Sequence, residues 1–321
     1  MKRGLAAAGL VLAALGGPWL VGGSPEPSAA ASAAALLPPL ARVEEARLTG
    51  GGFLRAESLE PVSAGVQVRG GGYSRLLPGV RLAGPPRPRR LWLGSDAQGR
   101  DLAGRVARGG RRAVLVGLSA AGLALLLATA VGLLRAWRPG PLGHLAGLLT
   151  DGTLALPGLL VMLVFASALA GRPWGVTLAI AAVGWAGPSR LVHHRAERWR
   201  ASERAWSARA AGAGPVRTLT RHLLPGIADL FLAASPLLFA QAVLVEATLS
   251  FLGVGGGSED SWGRLIAEAS RTLPAGWWQV AAPGALLLLL TTVLWEVGPR
   301  HPARWEITKA DSRGNSAAPA D

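Results

Sequence analysis

The side chains that could do chemistry in this chain are few, and their spacing supports no catalytic centre. Cysteine is absent, which excludes disulfide bonds and thiolate metal sites. His193 and His194 are adjacent, and neighbouring side chains on a helix point about 100° apart, which is more typical of solvated or interfacial histidines than of a metal site. Neither a nucleophile elbow nor a His-Glu-x-x-His pattern is present. The sequence therefore predicts a protein that is not an enzyme and that uses no metal or other cofactor.

Two carboxylates, Asp151 and Glu246, lie in or near long apolar stretches. A carboxylate in hydrocarbon is costly and usually faces the interior of a helix bundle. These residues could line a transport pathway, or they could pair with arginine or backbone groups and lock helices together. We favour helix locking for both.

The composition predicts a membrane protein. Half of the residues are hydrophobic and only 16% are charged, a low fraction for a soluble domain. The net charge of +14 comes almost entirely from arginine, because Lys2 and Lys309 are the only lysines. These arginines lie beside apolar stretches and no nucleic-acid-binding motif surrounds them, so we expect no nucleic acid partner.

Six apolar stretches predict an all-α integral membrane fold with six transmembrane helices. The first, within 1–23, could be a cleaved signal peptide or an uncleaved helix, and we favour the helix. The others are expected at 113–134, 145–170, 176–192, 227–252 and 280–297. An even number of spans places both termini on one side, and the arginine-rich short loops assign that side to the cytoplasm.

The predicted spans divide the chain into four parts. The segment 24–110 contains no span, is rich in Pro, Gly, Ala and Arg, and is predicted to be extracytoplasmic with weak regular structure, apart from a short strand near Val66. Residues 111–298 form the helical core and include a basic cytoplasmic loop at 193–225. A polar cytoplasmic tail follows at 299–321.

The basic loop has the pattern of two helices joined by a glycine. Helix formers run from Arg195 to Ala211, and Gly212 permits a backbone reversal. A second helix is expected from Val216 to Leu224, ended by Pro225, with Arg217 and Arg221 on one face because they are four positions apart. By itself this pattern indicates either an ordinary positive-inside loop or a helix that docks on a partner.

The motifs around this loop resemble a known family. Gly212, followed by His222, Leu223, Leu224 and Pro225, is similar to the EAA loop of ABC importer permeases. The segment LGSDAQGRD from Leu93 to Asp101 resembles the LGTDxxGRD signature of the dipeptide, oligopeptide and nickel subfamily, with Gly94, Asp96, Gly99, Arg100 and Asp101 at the signature positions. Four further elements follow in family order: Asp151–Pro157, Glu246–Gly253, Ser261–Gly263 and Pro283–Gly284.

The resemblance implies a permease subunit of an ATP-driven importer in the inner membrane, with the type I permease architecture and di- or oligopeptides as substrates. It implies a sister permease, two ATPase subunits and an extracytoplasmic substrate-binding protein as partners. The family's loop carries a glutamate where this chain has Trp206. Neither lysine lies in a Walker A context, so ATP hydrolysis is expected in another polypeptide.

In this family the loop docks in a cleft of the ATPase, which assigns ATPase coupling here to Gly212, Arg217, Arg221, His222, Leu223, Leu224 and Pro225. Two alternatives stay open: an importer of nickel or another small solute, and a channel or scaffold that shares only the topology. A channel has no need of a docking helix, so the Gly212-to-Pro225 element favours the importer.

Overall fold

The computed structural model of the chain describes residues 9, 34–70, 73–137, 140–212, 214–218, 221, 223–255 and 260–297. Except for Gly9, the predicted first span at 1–23 lies outside the described residues, as do His222 and the predicted tail at 299–321. The described part consists of a β module, formed by strands β1 to β6, followed by a bundle of helices.

The β module contains two antiparallel sheets of three strands each, in the orders β2-β1-β6 and β3-β4-β5. Its strands are β1 Ala41–Arg47, β2 Phe53–Ala56, β3 Ser58–Val62, β4 Gly65–Gly70, β5 Tyr73–Pro78 and β6 Arg87–Leu91. Alternate apolar side chains of the strands, such as Leu54, Val66 and Val68, form a small buried core. The predicted strand near Val66 is confirmed as β4.

The prediction of an all-α fold with weak structure in this segment was wrong. Apolar alternation in these strands is carried partly by small residues such as Ala46 and Ala56, which give a weak strand signal. Arginines and prolines between them also resemble loop composition. Ordered pairing across β1, β2 and β6 overrides these local preferences.

The bundle contains ten α-helices in the described chain. They are α1 Leu102–Trp137, α2 Pro141–Ala155, α3 Gly158–Ala168, α4 Gly175–Gly184, α5 Ala186–Arg200, α6 Glu203–Ala210, α7 Pro215–Thr218, α8 Leu224–Phe251, α9 Trp262–Ala269 and α10 Trp278–Val297. The prediction of a mostly helical chain with several apolar helices is confirmed.

Three of these helices are long and apolar enough to cross a bilayer: α1, α8 and α10. Two bent pairs pass the same test as units, α2 with α3 at 97° and α4 with α5 at 42°. These five units overlap the five predicted spans that follow residue 110. The break between α2 and α3 falls at Pro157, inside the third predicted span, whereas Pro236 lies inside α8.

The helix α1 is the centre of the bundle and packs closely against α5 and α8 through small residues. A Cβ added at Gly117 would lie 2.6 Å from the Phe239 ring of α8, and one added at Gly132 would lie 2.6 Å from the Ser189 carbonyl of α5. Small residues allow helix backbones to approach closely in a membrane, where the hydrophobic effect does not drive association.

The loop after α5 differs from the two-helix prediction. The predicted helix from Arg195 to Ala211 is divided at Ala201 and Ser202, because the Trp199 carbonyl accepts from both the amide and the hydroxyl of Ser202. The second helix is the short α7, and Pro225 does not end it but lies in the first turn of α8. Proline is tolerated there because the first-turn amides have no intrahelical acceptor.

Candidate functional site

The segment from Leu93 to Asp101 forms a tight turn in front of α1. Gly94 and Gly99 both have φ of +76°, a region that favours glycine. A Cβ on Gly94 would also lie 2.3 Å from the Leu37 carbonyl. Asp96 Oδ1 accepts hydrogen bonds from the amides of Gln98 and Arg100 at 2.9 and 2.8 Å. These residues therefore shape the turn.

Asp101 caps α1 and connects it to the β module. Its Oδ1 accepts from the amide of Ala103 at 3.1 Å, which satisfies one of the free first-turn N–H groups. Its Oδ2 lies 3.2 Å from Arg89 Nη2, and Arg89 Nη1 lies 3.1 Å from Glu45 Oε1. The chain Glu45–Arg89–Asp101 fixes β1 and β6 to the start of the first long helix.

An arginine–carboxylate cluster, formed by Asp96, Arg100, Arg105, Asp260 and Glu268, joins this turn to the segment before and within α9. Arg105 is almost fully buried, and its guanidinium contacts three carboxylates, Asp96 and Asp260 at 2.7 Å and Glu268 at 2.9 Å. Arg100 pairs with Asp96 at 2.6 Å and with Glu268 at 3.1 Å. The pairing compensates the burial of these charges.

The neighbours of Glu268 on α9 shift the ionisation of its carboxyl group. Partial burial opposes ionisation, but the charge of Arg105, hydrogen bonds from Arg105 and Arg264, and the charge of Arg100 outweigh it. Together these contacts hold the pKa of Glu268 below its usual value.

Glu246 lies fully buried in α8 and anchors three elements. Its carboxylate accepts from the hydroxyls of Ser250 at 2.9 Å and Ser261 at 3.2 Å, and it lies 3.3 Å from Arg112 Nε on α1. Arg112 also donates to the Gly255 carbonyl. The arrangement supports the helix-locking interpretation of Glu246, since α1, α8 and the start of α9 meet at this carboxylate.

Asp151 on α2 is half exposed and pairs with Arg190 of α5. Its Oδ1 lies 2.8 Å from Arg190 Nη2 and 3.9 Å from Arg135 Nη1 of α1. Asp151 thus contacts arginines of two other helices, which again agrees with helix locking.

The described residues of the coupling segment, defined as Gly212 to Pro225, lie at the opposite end of α1 from the β module. Gly212 is exposed with φ of +75°, so the reversal predicted after the preceding helix occurs here. Arg217 and Arg221 are both exposed. Leu223 is buried against Ala136, Val192 and Ile227, so it anchors the segment to the end of α1, the middle of α5 and the start of α8.

The flanks of this anchor are open to solvent. Leu224 is 37% exposed and Pro225 is exposed at the first turn of α8. Trp206, where the family has glutamate, is also largely exposed on α6. The structure places Arg217, Arg221, Leu224 and Pro225 on the surface and Leu223 in the interior.

His193, His194 and Glu197 are the group of described residues with the geometry to hold a metal ion. His193 Nε2 lies 3.3 Å from Glu197 Oε1, and His194 Nδ1 lies 3.7 Å from Glu197 Oε2. His193 Nδ1 is buried without a partner in the described structure, whereas a ligating histidine usually donates from its second nitrogen. Pairing across one helical turn accounts for the arrangement without a metal.

Sequence reasoning missed Arg105, Arg112, Asp260 and Glu268 as members of the buried network. A signal was present, because Arg105, Arg108 and Arg112 recur at helical spacing directly after the acidic turn. Their carboxylate partners, however, lie in a different part of the sequence, and only the fold brings the two together.

Comparison with known proteins identifies the class. The family described as binding-protein-dependent transport system inner membrane component matches residues 122–296. A putative peptide permease protein of Brucella ovis is 33% identical over 218 residues, covering 64% of this chain and 70% of that protein. A di/tripeptide transport system permease protein of Pseudomonas aeruginosa is 33% identical over 201 residues, covering 62% and 66%.

Among solved structures, an inward-facing MetNI methionine ABC transporter matches with a TM-score of 0.50 and 16% identity, over 60% of this chain and 93% of that one. This likeness concerns the fold. The chain belongs to the family of binding-protein-dependent transport system inner membrane components. It is a multi-pass permease subunit of an ABC importer, and ATP hydrolysis belongs to separate subunits.

Proposed function

We propose that this chain is one of two permease subunits of an ATP-driven importer of di- and oligopeptides. The names of the relatives from Brucella ovis and Pseudomonas aeruginosa support the peptide substrate. Two ATPase subunits and an extracytoplasmic binding protein complete the assembly, and the translocation pathway forms between this chain and its sister permease. No contact in the described structure favours nickel over peptides.

The proposed topology has six spans with both termini in the cytoplasm. The five described units supply five spans, and the apolar stretch within 1–23 supplies the first. The β module then lies outside the cell membrane, between the first and second spans, and the coupling segment lies in the cytoplasm. Arg190, Arg195, Arg198 and Arg200 beside the coupling segment support this orientation.

The observation that carries the proposal is the architecture of the coupling segment. Leu223 is buried against α1, α5 and α8, whereas Arg217 and Arg221 are exposed on the same segment. A partner that moves these exposed residues therefore acts directly on three spans. Closure of the ATPase subunits on ATP displaces the segment. The spans convert this displacement into a change in the side of the membrane to which the translocation pathway opens. Arg217 and Arg221 face acidic surface on the ATPase.

The test is a comparison of two glycine variants in proteoliposomes that contain all subunits. Gly212 has positive φ and Gly214 does not, and a Cβ at either position meets nothing within 4 Å. Gly212→Pro cannot keep the reversal because proline fixes φ near −65°. We expect ATP-driven dipeptide uptake to be abolished by Gly212→Pro and retained by Gly214→Ala, with both variants inserted normally.

Unchanged uptake in Gly212→Pro would refute the role of the segment in coupling. Absence of ATP-driven uptake of any di- or oligopeptide by the complete wild-type assembly would refute the proposed substrate. ATP hydrolysis by the purified chain without partners would contradict the assignment of ATP hydrolysis to separate subunits.

A further inference from the structure

A groove of about 710 Å³ opens between α1 and the start of α4, at the end of the bundle that carries the β module. Small-molecule sites commonly measure about 300–1,000 Å³. One wall is the first turns of α1, with Arg108, Arg111 and Arg112 above Leu115. Pro173, Trp174 and Thr177 form the facing wall. The groove is thus large enough for a short peptide and has cations along one side.

Two of these three arginines are neutralised. Arg108 Nε and Nη2 lie 2.9 and 2.8 Å from Asp260 Oδ2, and Arg112 Nε lies 3.3 Å from Glu246. Arg111 is exposed and makes no ion pair with any residue in the described ranges. Among the described residues that line the groove, Arg111 is therefore the guanidinium without an ion pair.

Apart from Asp260, whose carboxylate pairs with Arg108, the rest of the lining is apolar, aromatic and hydroxyl-bearing. Trp174 is 47% exposed and Leu115 is 52% exposed. The Arg172 guanidinium lies 5.4 Å from the centre of the Trp174 ring, which orients the indole at the rim. Thr177 adds a hydroxyl to the same wall. A carboxylate that binds Arg111 would have an apolar and aromatic surface within the same groove for a neighbouring side chain.

We infer that this groove binds the C-terminal carboxylate and the last side chain of a peptide, with Arg111 as the carboxylate ligand. The inference rests on the proposed function as a peptide permease and adds a chemical requirement for a free C-terminus. A planar guanidinium matches a carboxylate through two parallel hydrogen bonds. The Trp174 ring and Leu115 contact the C-terminal side chain. In the proposed topology the groove faces the side from which substrate arrives.

The test is equilibrium binding of Ala-Phe and of its C-terminal amide to the complete permease–ATPase complex without the binding protein. The complex is placed in phosphatidylcholine nanodiscs, so that no anionic lipid headgroup competes for Arg111. We expect the free acid to bind wild type at least about tenfold more tightly than the amide, the effect of one charge-assisted hydrogen bond. Arg111→Gln removes this preference and Arg111→Lys keeps part of it.

Arg75→Gln is the matched control, because Arg75 is an exposed arginine of β5 outside the groove, and it should retain the full preference. Equal affinity of wild type for acid and amide, or an unchanged preference in Arg111→Gln, overturns the inference. ATP-driven uptake by the same preparations reports the proposed function separately. If the complex imports peptide but binds the free acid and the amide equally well, the proposed function stands and the proposed carboxylate site is refuted.

Discussion

Arg105 Nε lies 2.7 Å from Asp260 Oδ1, although the two residues are 155 positions apart in the chain. The same guanidinium contacts Asp96 and Glu268. One buried arginine thus joins the turn before the second predicted span to the loop before the last. The two segments that resemble family motifs at these places, Leu93–Asp101 and Ser261–Gly263, are parts of a single structural unit.

Removal of the Asp96 carboxylate should destabilise this unit strongly. Asp96→Ala leaves Arg105 buried with one carboxylate fewer and removes the acceptor of two turn amides. Breaking a buried ion pair by removing one partner costs about 3–5 kcal/mol. The thermal unfolding midpoint of the purified complex should fall clearly. Asp229→Ala, at an exposed position on α8, should leave it unchanged, and equal midpoints for both variants would contradict the role of Asp96.

The stability of the wild-type protein should depend on Glu268 in acid. Its pKa is lower in the folded protein than the usual unfolded value of about 4.3, so the unfolded state binds the proton more readily. The stabilisation is present above the unfolded pKa and is lost as pH falls through the folded pKa. Unfolding midpoints measured from pH 6 to about 3 should fall less in Glu268→Gln than in wild type. Glu57→Gln, an exposed change on the β module, should keep the wild-type slope; identical slopes in all three proteins would disprove the prediction.

The contribution of Glu246 to the stability of the protein should depend on the hydrogen bonds of its carboxylate more than on its charge. Glu246→Ala leaves the Arg112 guanidinium and the hydroxyls of Ser250 and Ser261 without this acceptor, at a cost of about 3–5 kcal/mol. Glu246→Gln keeps an oxygen that accepts from the hydroxyls and should lose less stability. Thermal unfolding of the two variants in detergent distinguishes them, and an alanine variant as stable as the glutamine variant would exclude this ranking.

Gly263 should tolerate no side chain. A Cβ there would lie 1.8 Å from the carbonyl oxygen of Ala247, a backbone atom that cannot move independently. Gly263→Ala therefore separates α9 from α8 and should cost about 1–3 kcal/mol or more through overpacking. Gly122→Ala is the control, since a Cβ there meets nothing within 4 Å and alanine favours a helix by up to about 1 kcal/mol. Comparable unfolding midpoints for the two variants would count against the close α8–α9 contact.

The helical bundle could be predicted because its signal is local. Long apolar runs define α1, α8 and α10 directly, and Pro157 marks the break between α2 and α3. The β module was not predicted because its strands are short. They also carry arginines at positions where pairing with neighbouring strands, and not hydrophobicity, decides the structure. Glu45 illustrates this, since its partners Arg55 and Arg89 come from β2 and β6.

The site was predicted in part for a similar reason. Gly212, Asp96 and Asp101 act on neighbouring backbone, so their types and spacing were informative. The partners of Arg105 and the exposed position of Arg111 depend on how distant segments meet. The ion pair of Asp151 with Arg190 agrees with the favoured interpretation, but the identity of the arginine follows only from the packing of α2 against α5.

The 97° bend between α2 and α3 has a consequence for the assembled transporter. Leu154 to Pro157 are exposed in the isolated chain, and Leu156 has an extended backbone. The last carbonyls of one helix have no donors within that helix, and the first amides of the next have no acceptors within theirs. Lipid tails cannot supply them, and each unsatisfied group in hydrocarbon costs several kcal/mol. Where the bend lies at the depth of the lipid tails, it must therefore be covered by another protein surface or by water, and that side of the subunit does not face lipid.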